Sequence, residues 1–262
     1  GGGTIADADF AYLNQPIEGQ NLQSLKWGTS EALPVTLSFW VRSTLTGTYA
    51  CGLYKTAGDR NYIKTFTISA ADTWQFVALT FEGDVNDKIA NDNTRGLEVI
   101  WGLVAGNNSK STNSSGGWTA YGSGGGLLYG HTVNHGASFD EDLFLTGIQL
   151  EAGSKNTSFE HEPFERTLIK CQRYFQKGAF ARRWVSTGNN EYDFLTHYYV
   201  TQMRATPTKT FSGGSFANVI NSTENATDEL LSGVAMQIAY RANNTNTDTY
   251  VFGRDVTFDA EL

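Results

Sequence analysis

The chain has 262 residues, 40 % of them apolar and 13 % aromatic, with 28 glycines against 4 prolines and a net charge of −8. Acidity without any Lys/Arg cluster argues against nucleic-acid binding by counterion release and against electrostatic adhesion to an anionic membrane; neutral sugars stay open as ligands. No apolar stretch approaches the roughly 20 residues that a bilayer-spanning helix needs, no signal peptide is recognisable, and the Gly1-Gly2-Gly3 start in place of Met reads as a fragment or a tag remnant.

Period-2 alternation dominates the first part of the chain. Residues 36–42 put Leu37, Phe39 and Val41 on one face of a strand and Ser38, Trp40 and Arg42 on the other. Shorter strands are expected near 50–54 and 62–68. Residues 73–81 are apolar on both faces, which predicts a central strand, and 97–104 and 142–151 complete the series. Turn-rich segments at 46–48, 83–93 and 105–126 separate these runs, and the Asn/Ser/Gly/Thr-rich 107–126 reads as a long exposed loop. Short strands with turns at this spacing predict an all-β fold, a jelly-roll-type sandwich over residues 4–162.

A helix follows over 164–175, where Leu168, Cys171 and Phe175 fall at i, i+3 and i+7. Strands are then predicted at 191–203, 209–216, 233–241 and 247–258. Residues 163–262 thus form a smaller β-rich C-terminal domain entered through a short helix, either independent or packed on the first sandwich. Cys51 and Cys171 cannot build a Cys-rich scaffold or a paired-CxxC metal site. The base rate of Cys burial favours two free, buried thiols over a bridge.

Four motifs stand in order around and beyond the junction. They are Phe144-Leu145-Thr146-Gly147-Ile148-Gln149-Leu150-Glu151-Ala152-Gly153-Ser154 with Ser158-Phe159-Glu160, then Leu168-Ile169-Lys170-Cys171-Gln172-Arg173-Tyr174-Phe175, Met203-Arg204-Ala205-Thr206-Pro207-Thr208 and Asp259-Ala260-Glu261-Leu262. With Thr36-Leu37-Ser38-Phe39-Trp40-Val41 and Ala71-Asp72-Thr73-Trp74 upstream, the set resembles the C-terminal region of bacteriophage tail fibres and related virion appendages. Their sandwich is of the concanavalin or carbohydrate-binding-module kind. Phe175 departs from the pattern, in which a second Tyr is common. The resemblance implies a homotrimeric virion component that meets other virion proteins and a host-surface glycan or polysaccharide. It transfers no ligand residues: Gly147 and Gly153 suit a bulge and a tight turn, and Phe159 and Tyr174 read as packing residues.

Candidate chemistry falls into three classes. Glycan sites stack an apolar sugar face on an exposed aromatic, with polar side chains taking the hydroxyls. Trp118 and Tyr121 in the Gly/Ser-rich loop, followed by Tyr129, are either a ligand platform or anchors tucked back onto the sandwich. Trp40 with Arg42 lines a sheet face or covers it, whereas Trp27, Trp74 and Trp101 are expected in the core. No cofactor is expected beyond a structural calcium, of the sort such sandwiches often hold, for which Asp84, Asn86 and Asp87 or Asp140 and Asp142 are the candidate ligands. His131 and His135 stand at i, i+4 without the helix or HExxH pattern of a zinc site. Glu151, Glu160, Glu162 and Glu165 could supply a glycosidase pair, but solvated surface carboxylates are the default, and there is no GxSxG elbow. The leading expectation is a non-catalytic receptor-binding module. The alternatives are a structural virion protein (capsid decoration, head fibre or adaptor) and, third, a polysaccharide depolymerase.

Overall fold

In the computed structural model, residues 4–56, 59–110, 116–121, 126–137, 140–185, 192–217, 225–231, 235–241 and 248–261 are described, and two units share them, one running to Glu160 and one from His161. The first unit contains β1 (Phe10–Glu18), β2 (Val35–Ser43), β3 (Gly47–Lys55), β4 (Arg60–Ile68), β5 (Gln75–Phe81), β6 (Arg95–Ala105), a short α1 (Asn107–Lys110), β7 (Thr119–Ala120) and β8 (Leu143–Ala152). A five-stranded sheet runs β1-β6-β3-β4-β7 and a three-stranded sheet runs β5-β2-β8. Every pairing is antiparallel.

Alternation decides how the sheets meet. Leu37, Phe39 and Val41 of β2 are buried in one core with Phe81 of β5 and with Tyr49, Leu53, Ile68 and Leu97 of the larger sheet. Each such side chain contributes about 1.5–3 kcal/mol when fully withdrawn from water. Two antiparallel sheets sharing this core make the unit an all-β sandwich. The core Trp27 donates its indole N–H to Leu33 O (2.8 Å), which satisfies the one polar atom it buries.

The larger sheet is covered on its other face too. Ala50, Ile63 and Ile100 point away from the main core and pack beneath Leu128, which is fully buried. His131 accepts a hydrogen bond at Nδ1 from Ala50 N–H (3.1 Å). A Cβ on Gly102 would lie 2.8 Å from that Nδ1, so the strand needs glycine where this cover passes over it.

Three expectations are corrected here. Residues 75–81 form an edge strand, not a central one, because their second apolar face carries the exposed Phe76 rather than a buried layer. Trp74 is likewise 43 % exposed rather than core. β1 has no counterpart among the expected strands: Asn14, Gln15 and Pro16 break its pattern, and an edge position tolerates them.

The second unit holds α2 (Phe164–Gln172), β9 (Phe175–Val185), β10 (Tyr192–Tyr198), β11 (Thr208–Ala217), β12 (Asn225–Leu231), β13 (Ala235–Arg241) and β14 (Asp248–Asp259). It forms two three-stranded antiparallel sheets, β10-β13-β12 and β11-β14-β9. Tyr199, Met203, Val256, Phe258 and Ala260 make its core, and His197 of β10 stacks on Phe258 of β14 (4.9 Å, 16°), joining the two sheets. The single strand expected over 191–203 stops at Tyr198, where the buried Gln176 amide takes over the backbone: its Oε1 accepts from Val200 N–H (2.9 Å) and its Nε2 donates to Thr201 O (3.0 Å). Residue 191 lies outside the described residues. The helix ends at Gln172, and Phe175 opens a strand. Both cysteines are free, but only Cys51 is buried. Cys171 is exposed because no residue of α2 is buried, so an i, i+3 stripe does not by itself guarantee a covered face.

Three of the quoted motifs meet in this unit. Arg204 N–H donates to Arg173 O and Ala260 N–H to Tyr174 O, each at 2.8 Å. The Arg204 guanidinium donates to Ala260 O (2.8 Å) and Glu261 O (2.9 Å). These residues fasten backbone to backbone, which gives them a structural role in the chain.

Candidate functional site

The outer face of the three-stranded sheet is built from residues that alternate with the core set. Trp40 stands opposite Phe76 in register, and their rings are 5.5 Å apart at 56°. Arg42 stands opposite Phe144, its guanidinium 4.4 Å from that ring's centre and 5.7 Å from Trp74's. Trp40, Trp74, Phe76, Phe144 and Phe159 are all between 38 and 46 % exposed. One isolated exposed aromatic is ordinary; five around one sheet face are a patch of the kind that marks an interaction surface.

The motif around Gly147 shapes this face. Gly147 has φ +57° and sits at a register shift between β2 and β8, an extra residue that bends β8 beside Trp40. A Cβ there would lie 3.4 Å from Trp40 Cδ1 and 3.9 Å from Phe159 Cδ2. Gln149 then holds the segment after β8: its Oε1 accepts from Glu160 N–H (2.8 Å), and its Nε2 donates to Ser158 O (3.4 Å). Glu151 accepts from Thr157 N–H (3.0 Å), and hydrogen bonds from Gln149 and Thr157 hold its carboxyl below the ordinary range. The result is a groove of about 570 Å³ floored by Trp40 and Phe76 and walled by Asn156, Thr157, Ser158 and Phe159. Phe159, expected as a packing residue, is an exposed wall of that groove.

The loop aromatics lie elsewhere and apart from one another. Trp118 packs edge-on against Trp27 (5.0 Å) and Tyr62 (5.9 Å), and its indole N–H donates to Glu82 O (2.7 Å). Its ring is therefore engaged with the core. Tyr121 meets Tyr54 edge-on (5.6 Å) and lines a smaller cleft of about 170 Å³ with Phe10 and Leu127. Burial, and then the neighbouring Asp59 to which it donates (2.8 Å), push the Tyr54 hydroxyl up to about 12. Tyr129 packs on the cluster beneath Leu128. Residues 111–115 and 122–125 of this loop lie outside the described residues.

Asp84 is buried and ion-paired with Lys55 (3.2 Å) and Arg60 (2.8 Å), and Asp87 pairs with the same Lys55 (2.6 Å). Burial works to raise the Asp84 pKa, but hydrogen bonds from Arg60, Asn86 N–H and Lys55, with the Lys55 charge, outweigh it and hold the carboxyl below its usual range. Those two carboxylates already have cationic partners. Asp142 is tied to Thr44 through its backbone, away from that pair, and Asp140 lies beside it in the chain. Among the described residues, no group of three His, Cys, Asp or Glu side chains is placed to hold a metal ion.

His131 and His135 flank Tyr49, at 5.6 and 5.7 Å between ring centres, and His135 Nε2 hydrogen-bonds its hydroxyl (3.0 Å). Burial lowers the pKa of both. Glu162 of α2's approach is paired with Lys170 (2.7 Å), whereas Glu151 and Glu160 belong to the first unit. No protein-family model matches the chain, and no curated protein matches it.

Proposed function

We propose that this chain is a non-catalytic glycan-binding module of a virion appendage such as a tail fibre, acting as a homotrimer against host-surface polysaccharide. The observation that carries the reading is the groove of Trp40, Phe76 and Phe159, whose apolar floor is bordered by the polar residues Asn156, Thr157 and Ser158. A pyranose has an apolar face and a hydroxyl rim, and this groove offers the complement of each. On this reading the sandwich is of the jelly-roll, carbohydrate-binding-module type. The ordered motifs from Phe144 to Leu262 support the virion assignment through the resemblance alone. Three tethered copies would let weak single sites give useful avidity.

Whole-cell and glycan-array binding, comparing the intact chain with Trp40→Ala and Phe76→Ala, tests the reading. Loss of binding with an unchanged melting temperature supports it; unchanged binding removes the groove from the account. A second reading, a structural virion piece without host ligand, is favoured by α2, where Phe164 (73 %), Ile169 (53 %) and Leu168 (40 %) stand exposed as a surface for another copy. The glycan array separates the two, since this reading requires that no host saccharide is bound, and mass photometry of Phe164→Ser and Leu168→Ser tests whether α2 carries the contact between copies.

A further inference from the structure

We infer that the groove takes an acidic saccharide, with Arg42 receiving its carboxylate or phosphate; this rests on the glycan reading above. The reason lies in how Arg42 is left. Its guanidinium is held between the rings of Phe144 (4.4 Å) and Trp74 (5.7 Å). It makes no ion pair and no hydrogen bond among the described residues, although the chain carries 27 acidic residues against 19 Lys and Arg. Asp72 and Asp142 come close in the chain's path, bonded through their backbones to Ser43 and Thr44, yet neither pairs with it. Glu151, the acidic residue on the same sheet face, stands opposite Thr36 at the other end of β2 and is turned to Thr157.

An arginine fork in a strongly acidic protein that is left without a carboxylate is available for an anion from outside. Nε is buried and unpaired, and neither Nη atom is in that condition, so the Nη edge is the part a ligand can reach. Two parallel N–H donors at that edge match the two oxygens of a carboxylate or phosphate. The flanking rings hold the fork in place by cation–π contact, so less side-chain freedom is lost when the anion arrives. Spacing agrees as well. Arg42 lies two residues beyond Trp40 on the same strand face, about 7 Å along it. A sugar ring stacked on Trp40 therefore places an acidic substituent, or that of the next ring, over Arg42.

The test uses the intact chain on an array of bacterial saccharides: neutral, uronic-acid-bearing and phosphate-bearing. The strongest carboxylate-bearing binder is then retested after chemical reduction of its carboxyls to alcohols. The expected result is a preference of about tenfold or more for acidic members, lost on carboxyl reduction and lost in Arg42→Gln. Arg42→Gln should keep the weaker, Trp40-dependent binding to neutral members, and Arg42→Lys should restore part of the preference. The uronic and phosphate arms show which anion is used. Equal binding of neutral and acidic members, or an Arg42→Gln protein that keeps the preference, overturns this inference and leaves the groove standing. Binding to no member, or binding indifferent to Trp40→Ala, sinks both.

Discussion

Trp40 of β2 and Phe76 of β5 occupy directly opposed positions across two neighbouring strands, and their rings meet at 5.5 Å on the side of the sheet away from the core. The pairing contributes about 0.5–1.5 kcal/mol to sheet stability, yet each ring leaves close to half of its surface in water. A core layer would not be left so open; on the proposed glycan reading, a sugar face completes it. Trp40→Ala and Phe76→Ala should each lower glycan affinity about tenfold, ~1.4 kcal/mol. Their unfolding free energies should move by no more than about 1 kcal/mol. Titration calorimetry and urea unfolding measure the two effects separately.

Trp118→Ala should behave in the opposite way. Its ring is wedged against Trp27 and Tyr62, and its N–H is satisfied by Glu82 O. Truncation opens a cavity beside the core and costs about 2–4 kcal/mol, visible as a lower urea midpoint. Binding measured well below that midpoint should persist. A variant with full stability and lost binding would instead make Trp118 a ligand contact.

The Lys55–Asp84–Arg60 cluster should govern acid sensitivity. Both Lys55 and Asp84 have side chains with 0 % exposure. Removing Lys55 leaves the buried Asp84 with Arg60 as its remaining ion-pair partner, so Lys55→Met should cost about 3 kcal/mol near neutrality, the low end for a broken buried pair. The Asp84 carboxyl is held below the usual 3.8. A depressed acid stabilises the fold above its unfolded pKa, and that contribution disappears as pH falls from there through the folded value. Stability measured from pH 6 down to 2 should therefore drop most steeply below about pH 4, and Asp84→Asn should be weaker at neutrality with a flatter acid limb. An Asp84→Asn protein that keeps the full acid limb would assign it to other carboxylates.

Arg204→Ala should loosen the last strand of the second unit. Two hydrogen bonds from its guanidinium end on Ala260 O and Glu261 O. Charged donors of this kind are worth about 1.5–3 kcal/mol each when lost outright. Hydrogen exchange should speed up at Ala260 and along β14, with little change in the first unit.

Much of the sandwich could be read from alternation, because β2 turns Leu37, Phe39 and Val41 to the core and the polar Thr36, Ser38 and Arg42 with Trp40 to the other face. The same logic assigned Trp40 and Arg42 to a shared face before any register was known. It failed where both faces are apolar for different reasons: in residues 75–81 one face is buried and the other is the groove floor, and a one-dimensional pattern cannot tell these apart. Phe76, Phe144 and Phe159 join Trp40 only through pairings between strands far apart in sequence, and through a bulge at Gly147 that turns the following segment. Trp118 shows the converse, since a tryptophan in a Gly/Ser-rich stretch gives no local sign of the core residues it returns to. β9 and β12 escaped because Phe-Gln-Lys-Gly-Ala and Asn-Ala-Thr-Asp-Glu carry little of the β-branched alternation that marks a strand.

The hydrogen bond from Ala260 N–H to Tyr174 O also has a topological meaning. The chain passes Tyr174 as it enters the sheets of the second unit and returns to the same spot after β14. The strands of the second unit thus begin and finish at one place, with Tyr174 and Ala260 side by side. Bridging residues 174 and 260 with a few glycines would therefore close a short loop at little entropic cost, and the strands between them need not move to accept it.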